Sequence, residues 1–231
     1  MFINKKNLLG TVVVAFCAAT TAAWAAPDFG GVWVLYNAEK FGKPALTAAG
    51  LAFKESYNFK QDDPALKCIP ASWTRIYSNP NTPFEITQND DSIEIRYELF
   101  DVERTVPLTT ISGPFEHIPN NPDLPTLGDS VAWYDGEQLL IHTKNYGDET
   151  RILSTIRGWA GTPQSPLMVT LERYWLEEGS LMVEITHFDP LMYDEPLVVV
   201  YPFTLEPEYE VEYYGCEPES ASVLTISESD G

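Results

Sequence analysis

The sequence contains few basic residues, since 14 Lys and Arg stand against 34 Asp and Glu and give a formal net charge of −20. A surface of that charge repels phosphate backbones and anionic lipid headgroups. The composition therefore argues against nucleic-acid binding and against attachment to a membrane surface. Solubility and calcium binding are two other readings of the acidic charge, but the chain has no D-x-D-x-D-G loop of the kind that holds calcium.

Long apolar runs are also scarce. The one at the N-terminus, residues 8–19, follows two lysines and precedes the small-x-small triplet that ends at Ala25. This arrangement is typical of a secretory signal peptide, and it is shorter than the roughly 20 residues that span a bilayer. We expect cleavage after Ala25 and a mature protein that is periplasmic or secreted. The predicted organisation is a signal peptide at 1–25, one domain at 26–220 and an acidic flexible tail at 221–231.

Cysteine is rare as well, because only Cys68 and Cys216 follow the predicted signal peptide. Two cysteines in an oxidising compartment are expected to pair, and without a C-x-x-C spacing they make a poor metal site. We therefore predict a Cys68–Cys216 disulfide. A lipid-modified Cys17 is the alternative use of the remaining cysteine, although Phe16 stands where such signals carry a small residue.

The mature sequence shows the period-two alternation of apolar and polar residues that predicts β-strands. Tight hairpins are indicated at Asn89-Asp90-Asp91, Asp135-Gly136 and Glu177-Glu178-Gly179, and one helix is predicted at 46–57 with Thr47 as its N-cap. About eight to ten consecutive antiparallel strands favour an all-β, lipocalin-like up-and-down barrel with one short N-terminal helix. A two-sheet sandwich is the alternative.

One segment also resembles a known pattern. Residues 46–75, LTAAGLAF…DDPALKCIPASWTR, are similar to the LTxxGxA…DDPxxxCxPxGxPR pattern of an uncharacterised family of small secreted proteobacterial and acidobacterial proteins. The resemblance implies no reaction, because no activity is established for that family. Ser72 and Thr74 stand where the pattern carries glycine and proline. The positions that match are Asp63, Cys68, Arg75, Glu98, Arg104, His117, Trp133, Thr143, Glu172, Arg173 and Cys216.

Candidate catalytic residues come from the few titratable groups that could act near neutral pH. His117 lies in a proline-rich loop and is the best single candidate for acid/base chemistry, with Glu98 or Glu172 as its partner. The non-catalytic alternatives are a surface position for His117 and, for the carboxylates, an ion pair that braces the barrel. No G-x-S-x-G elbow supports a hydrolase triad, and the three histidines fall on separate elements, so we predict no metal site and no cofactor.

Candidate ligand-binding residues are those that could line a barrel cavity. Arginine can hold a carboxylate in bidentate fashion, and aromatic rings form the walls of apolar pockets. The predicted ligand-binding residues are Arg75, Arg104, Trp133, Thr143 and Arg173.

Three functions remain open from the sequence. The first is a binding protein that holds a small apolar or aromatic ligand in a barrel cavity. The second is a cofactor-independent isomerase, cyclase or lyase that uses the same cavity. The third is an envelope interaction protein with a filled barrel. A cavity above roughly 300 Å³ lined by polar groups favours the first two, and a packed interior favours the third.

Overall fold

The protein folds around a β-sheet that curls into a nearly closed barrel. A computed structural model describes residues 26–36, 44–70, 72–112, 115–147, 152–154 and 162–217. The strands in these ranges are β1 (Gly31–Val34), β2 (Pro83–Gln88), β3 (Ser92–Tyr97), β4 (Val102–Pro107), β5 (Ile118–Pro119), β6 (Asp129–Asp135), β7 (Gln138–Lys144), β8 (Ile152–Ser154), β9 (Thr162–Pro163), β10 (Val169–Glu177), β11 (Ser180–Phe188) and β12 (Leu197–Leu205). The helices are α1 (Ala48–Ser56), α2 (Phe59–Asp62) and α3 (Trp73–Ile76), with 3-10 turns at Pro64–Lys67, Leu99–Asp101 and Pro125–Leu127.

Ten of the strands form one antiparallel sheet in the order β4-β3-β2-β1-β12-β11-β10-β7-β6-β5. The first strand, β1, pairs directly with the last strand, β12, and Trp33 lies opposite Leu205. This pairing closes most of the barrel wall. The remaining seam lies between β4 and β6, where a parallel bridge joins Leu108 to Ala132. This architecture confirms the predicted antiparallel up-and-down barrel.

Local sequence signals account for the hairpins and the first helix. Thr47 caps α1 by accepting a hydrogen bond from the Gly50 backbone N–H at 3.0 Å. The β10–β11 turn places Glu178 and Gly179 at φ values of 51° and 85°, and the second of these suits glycine because it lacks a Cβ. All three predicted hairpins form, and Pro107 ends β4 as a residue without a backbone N–H often does.

Helix α3 occupies part of the barrel interior. Its four residues are buried, and the ring of Tyr77, the next residue, has centroid distances of 5.0 Å to Phe84, 5.3 Å to Tyr97 and 5.5 Å to Phe203. These rings project inward from β2, β3 and β12, so aromatic side chains fill this part of the barrel interior, where the sequence predicted a ligand cavity. Aromatic pairs of this kind each add about 0.5–1.5 kcal/mol beyond the burial of their surface.

Some predictions concern residues that the structure does not describe. The predicted signal peptide at 1–25 and the predicted tail at 221–231 lie outside the described residues. Across the ranges that are described, no helix is long and apolar enough to cross a lipid bilayer.

Candidate functional site

A cavity of about 740 Å³ opens at the mouth of the barrel where β3 turns into β4. We call this cavity the cleft. Its walls come from four segments: the 3-10 turn after Asp63, α3 with the chain that leads from it into β2, the β3–β4 turn and the C-terminal segment. The lining residues are Ala65, Leu66, Arg75, Asn79, Pro80, Thr82, Leu99, Phe100, Tyr214, Gly215, Cys216 and Glu217.

The arginine of the cleft belongs to a buried ion pair. Arg75 donates from Nη1 and Nη2 to the two carboxylate oxygens of Asp63, at 2.9 and 3.0 Å. Asp63 also accepts from the Ala65 backbone N–H and from the Tyr57 hydroxyl, and both members of the pair are buried. Burial, followed by the nearby Asp63 carboxylate, raises the pKa of Tyr57 above its ordinary value, so Tyr57 remains a donor at neutral pH. The pair therefore clasps the segment between α2 and α3.

The opposite wall of the cleft is the C-terminal segment, residues 206–217, which we call the strap. The Tyr214 and Gly215 backbone N–H groups donate to the Asp101 carboxylate at 2.8 and 3.3 Å. Glu98 accepts from the Tyr209 hydroxyl at 2.7 Å and from the Glu212 backbone N–H at 3.1 Å. Two carboxylates of the β3–β4 turn therefore fasten the strap over the barrel mouth.

A disulfide between Cys68 and Cys216 completes this attachment, with the two Cα atoms 5.8 Å apart. The bond joins the strap to the loop that also carries the Asp63–Arg75 pair, and it confirms the pairing predicted from the sequence. The DDPALKCIPASWTR segment, residues 62–75, is thus a structural clasp that forms the floor of the cleft, and its cysteine ties that floor to the opposite wall.

A second polar group of residues lies inside the barrel, and we call it the buried network. Arg104 on β4 donates to both carboxylate oxygens of Glu172 on β10, at 3.2 and 3.0 Å. Arg104 also donates to the Tyr97 hydroxyl at 3.2 Å, and the Tyr174 hydroxyl donates to Glu172. The Arg104 guanidinium lies 4.2 Å from the centre of the Trp73 ring.

Burial and neighbouring charges shift the pKa values of Arg104 and of the tyrosines in the buried network. Burial lowers the pKa of Arg104, but Glu172, Tyr97 and Tyr174 together raise it overall. Burial raises the pKa of Tyr174 and of Tyr77 and brings that of Tyr97 to about 12. All three tyrosines are therefore neutral hydrogen-bond donors at pH 7. The Arg104–Glu172 contact is therefore an ion pair that braces the barrel. This role is one of the alternatives that the sequence allows for Glu172.

His117, the predicted acid/base residue, lies on the outside of the barrel. One of its ring nitrogens, Nε2, is 2.7 Å from Nδ1 of His142, which projects from the outer face of β7. Burial and Lys144 both lower the pKa of His117, and burial, His117 and Lys144 lower that of His142. Glu172 points inward on the opposite side of the sheet, and Glu98 faces the strap, so the structure does not bring His117 together with either carboxylate.

The predicted ligand-binding residues are also spread over several places. Arg75 lines the cleft, whereas Arg104 lies in the barrel interior. Thr143 is buried and shares a 2.6 Å hydrogen bond with Ser130. Trp133 packs against Phe115 on the outer face, with ring centroids 4.9 Å apart, and Arg173 pairs on the same outer face with Glu184 at 3.3 Å.

Sequence reasoning missed several residues of the cleft. Phe100 and Tyr214 form an edge-to-face ring pair with centroids 5.5 Å apart, although they are separated by more than a hundred positions. Leu99 and Phe100 follow β3 at a point where the chain turns, with Phe100 and Asp101 at φ values of 64° and 53°. The one available signal was the predicted disulfide, which placed the strap beside the loop that carries Cys68.

No protein-family model matches the chain, and no curated protein matches it. Solved structures of similar shape include a point mutant of the fluorescent protein UnaG, at 20% identity and a TM-score of 0.39, covering 78% of this chain and 97% of that one. The apo lipid binding protein 8 of Caenorhabditis elegans is 13% identical with a TM-score of 0.39, covering 77% and 95%. A secretary abundant heat soluble protein from Ramazzottius varieornatus is 12% identical with a TM-score of 0.40, covering 79% and 98%. At these scores the likenesses carry no functional argument, so function has to be argued from the chain's own cleft.

Proposed function

We propose that the chain is an exported binding protein that holds one small apolar molecule in the cleft at the barrel mouth. The observation that carries this proposal is the cleft itself. Its volume of about 740 Å³ falls within the roughly 300–1,000 Å³ of small-molecule sites. Leu66, Leu99 and Phe100 supply apolar wall, and burial of apolar ligand surface is the general source of affinity at about 25 cal/mol per Å².

Preorganisation of the walls supports the same function. The floor is fixed by the Asp63–Arg75 pair, and the strap is fixed by the disulfide and by hydrogen bonds to Asp101. A site whose walls are already in place loses little conformational entropy when a ligand enters. Export agrees with the disulfide, because such bonds persist in oxidising compartments, and with the signal-peptide pattern at 1–25.

The experiment is a fluorescence titration with Nile red, an uncharged apolar dye whose emission rises in apolar surroundings. We expect saturable binding of one dye per chain. Ala65→Trp places a large ring in the lining and should weaken the binding by about ten-fold or more. Ala52→Trp, an exposed position on α1, is the matched control and should bind as the unmodified protein does. Equal binding by both variants would show that the dye sits elsewhere.

A second candidate function is an envelope interaction protein, and the packing around Tyr77 favours it because the barrel interior is filled at that level. In that case the acidic exterior, rather than the cleft, would meet a partner. The Nile red titration separates the two candidates. Saturable binding that depends on Ala65 supports the binding protein, and absence of binding supports the interaction protein.

A further inference from the structure

The charges around the cleft are unbalanced. Arg75 and Glu217 are the charged side chains among the described residues that line it. The two terminal nitrogens of Arg75 are already bound to Asp63, and only 6% of its side chain is exposed. Glu217 is exposed. The Arg75 guanidinium is therefore neutralised within the protein, while the Glu217 carboxylate remains available to a ligand.

Two further carboxylates lie beside the same wall. Asp101 is held by the backbone N–H groups of Tyr214 and Gly215, both in the cleft lining, and Glu98 is held by the strap next to them. Backbone hydrogen bonds fix these groups in position but leave their negative charge. An anionic headgroup brought into the cleft would meet this field without a free counter-ion, and burying an unpaired charge is costly.

Aromatic rings in the wall favour the opposite charge. Phe100 and Tyr214 both line the cleft, and their rings pack edge to face to form an aromatic corner in its wall. The face of an aromatic ring attracts cations, and aromatic walls are the usual means by which proteins recognise quaternary ammonium groups. A carboxylate near such a corner strengthens the attraction because it adds a full negative charge.

We propose that the ligand of the cleft is an apolar molecule that carries a positively charged ammonium group, an inference that rests on the proposed function. The ammonium lies against Phe100 and Tyr214 with Glu217 as its counter-ion, and the apolar part of the ligand covers Leu66 and Leu99. Arg75 stabilises the floor of the cleft through its pair with Asp63. It therefore does not hold a ligand carboxylate, although the sequence alone suggested that role.

The test compares three molecules with the same ten-carbon tail: decyltrimethylammonium, 1-decanol and decanoate. Each displaces Nile red from the full mature chain at pH 7 and at about 0.15 M salt, where charges more than about 8 Å apart are largely screened. We expect the ammonium compound to compete about ten-fold better than decanoate, with decanol between them. Because Ala65→Trp is expected to hold the dye only weakly, binding of the three molecules to this variant is measured directly by titration calorimetry, and it should be much weaker for all three because the shared tail occupies the cleft.

Two single substitutions test the contacts of the headgroup. Glu217→Gln should lower the preference for the ammonium compound over decanol about three-fold, whereas Glu210→Gln, which removes the same charge from the strap outside the lining, should leave it unchanged. Tyr214→Leu keeps an apolar side chain but removes the ring, and it should lower the same preference by a similar factor.

The outcomes distinguish this inference from the proposed function. If decanoate competes as well as the ammonium compound, and both depend on Ala65, the cleft binds apolar molecules but the inferred headgroup is wrong. If the ammonium compound binds equally well to Ala65→Trp, it binds the acidic exterior, and the inference is again wrong. If none of the three molecules displaces a dye whose binding depends on Ala65, the inferred ligand is wrong, whereas the proposed function fails only if Nile red does not bind or binds Ala65→Trp as well as the unmodified protein.

Discussion

The Arg104–Glu172 pair yields the most quantitative prediction about the barrel. Both side chains are fully buried, and they are joined by two hydrogen bonds of 3.2 and 3.0 Å. Removal of one partner from such a pair leaves an uncompensated buried charge and costs about 3–5 kcal/mol. We therefore expect Arg104→Met and Glu172→Leu each to lower the free energy of unfolding by about that amount. A domain of ordinary stability, about 5–15 kcal/mol, can lose this and remain folded.

The double variant Arg104→Met/Glu172→Leu is expected to be much less destabilised than the sum of the single variants. Its apolar side chains leave no buried charge, and replacing buried ion pairs in this way is often neutral or stabilising. The Tyr97 and Tyr174 hydroxyls lose partners in the exchange, and each unsatisfied hydroxyl offsets the gain by about 1–3 kcal/mol. The coupling energy between the two sites should therefore amount to several kcal/mol.

The assay is urea unfolding at 25 °C with the disulfide intact, followed by tryptophan fluorescence for the wild type, both single variants and the double variant. Arg173 and Glu184 provide a matched control, because their 3.3 Å pair lies one residue along β10 on the outer face, with 41% and 25% of the side chains exposed. The corresponding cycle on that pair should give a coupling of about 1 kcal/mol or less. A coupling for Arg104 and Glu172 no larger than for the control would refute the closed, desolvated geometry of the buried network.

Three further predictions follow from other parts of the chain. Replacing Cys68 and Cys216 with serine should lower the free energy of unfolding by about 2–5 kcal/mol, because the bridge closes a 148-residue separation; an unchanged urea midpoint would count against this. His187 is fully buried, and burial lowers its pKa to about 4 although its hydrogen bond with the Leu197 carbonyl opposes the shift. The unfolded chain therefore binds a proton more readily at His187 than the folded protein does. As the pH is lowered from about 6.5 to about 4, the free energy of unfolding should decrease by up to about 1.4 kcal/mol per pH unit, and His187→Asn should flatten that slope. Mass spectrometry of the exported protein should give a mature chain that begins at Ala26, and retention of residues 1–25 would rule out the predicted cleavage.

The barrel wall could be predicted from the sequence because its signals are local. Alternation along β10 and β11 reveals which side chains point inward, and residues such as Gly136 and Gly179 mark the hairpins by their own backbone preferences. The same alternation puts Glu172 inside the barrel and Arg173 on its outer face. The disulfide was predictable for a simpler reason, since only two cysteines follow the predicted signal peptide.

The interior and the cleft could not be predicted, because they depend on which distant segments meet. Helix α3 spans four residues and has no side-chain N-cap hydrogen bond, so it leaves no periodic signal and is stabilised by the rings around Tyr77. Arg104 and Glu172 are 68 positions apart, and their contact follows from barrel closure rather than from any short spacing. The Phe100–Tyr214 contact depends in the same way on the strap returning across the β3–β4 turn.

Native mass spectrometry of the protein purified from the cells that produce it shows whether the cleft holds a molecule in its natural setting. We expect one small molecule bound per chain, present in the wild type and in Ala52→Trp and absent from Ala65→Trp. A wild-type protein that carries nothing, or a bound molecule that Ala65→Trp retains in full, would contradict this expectation.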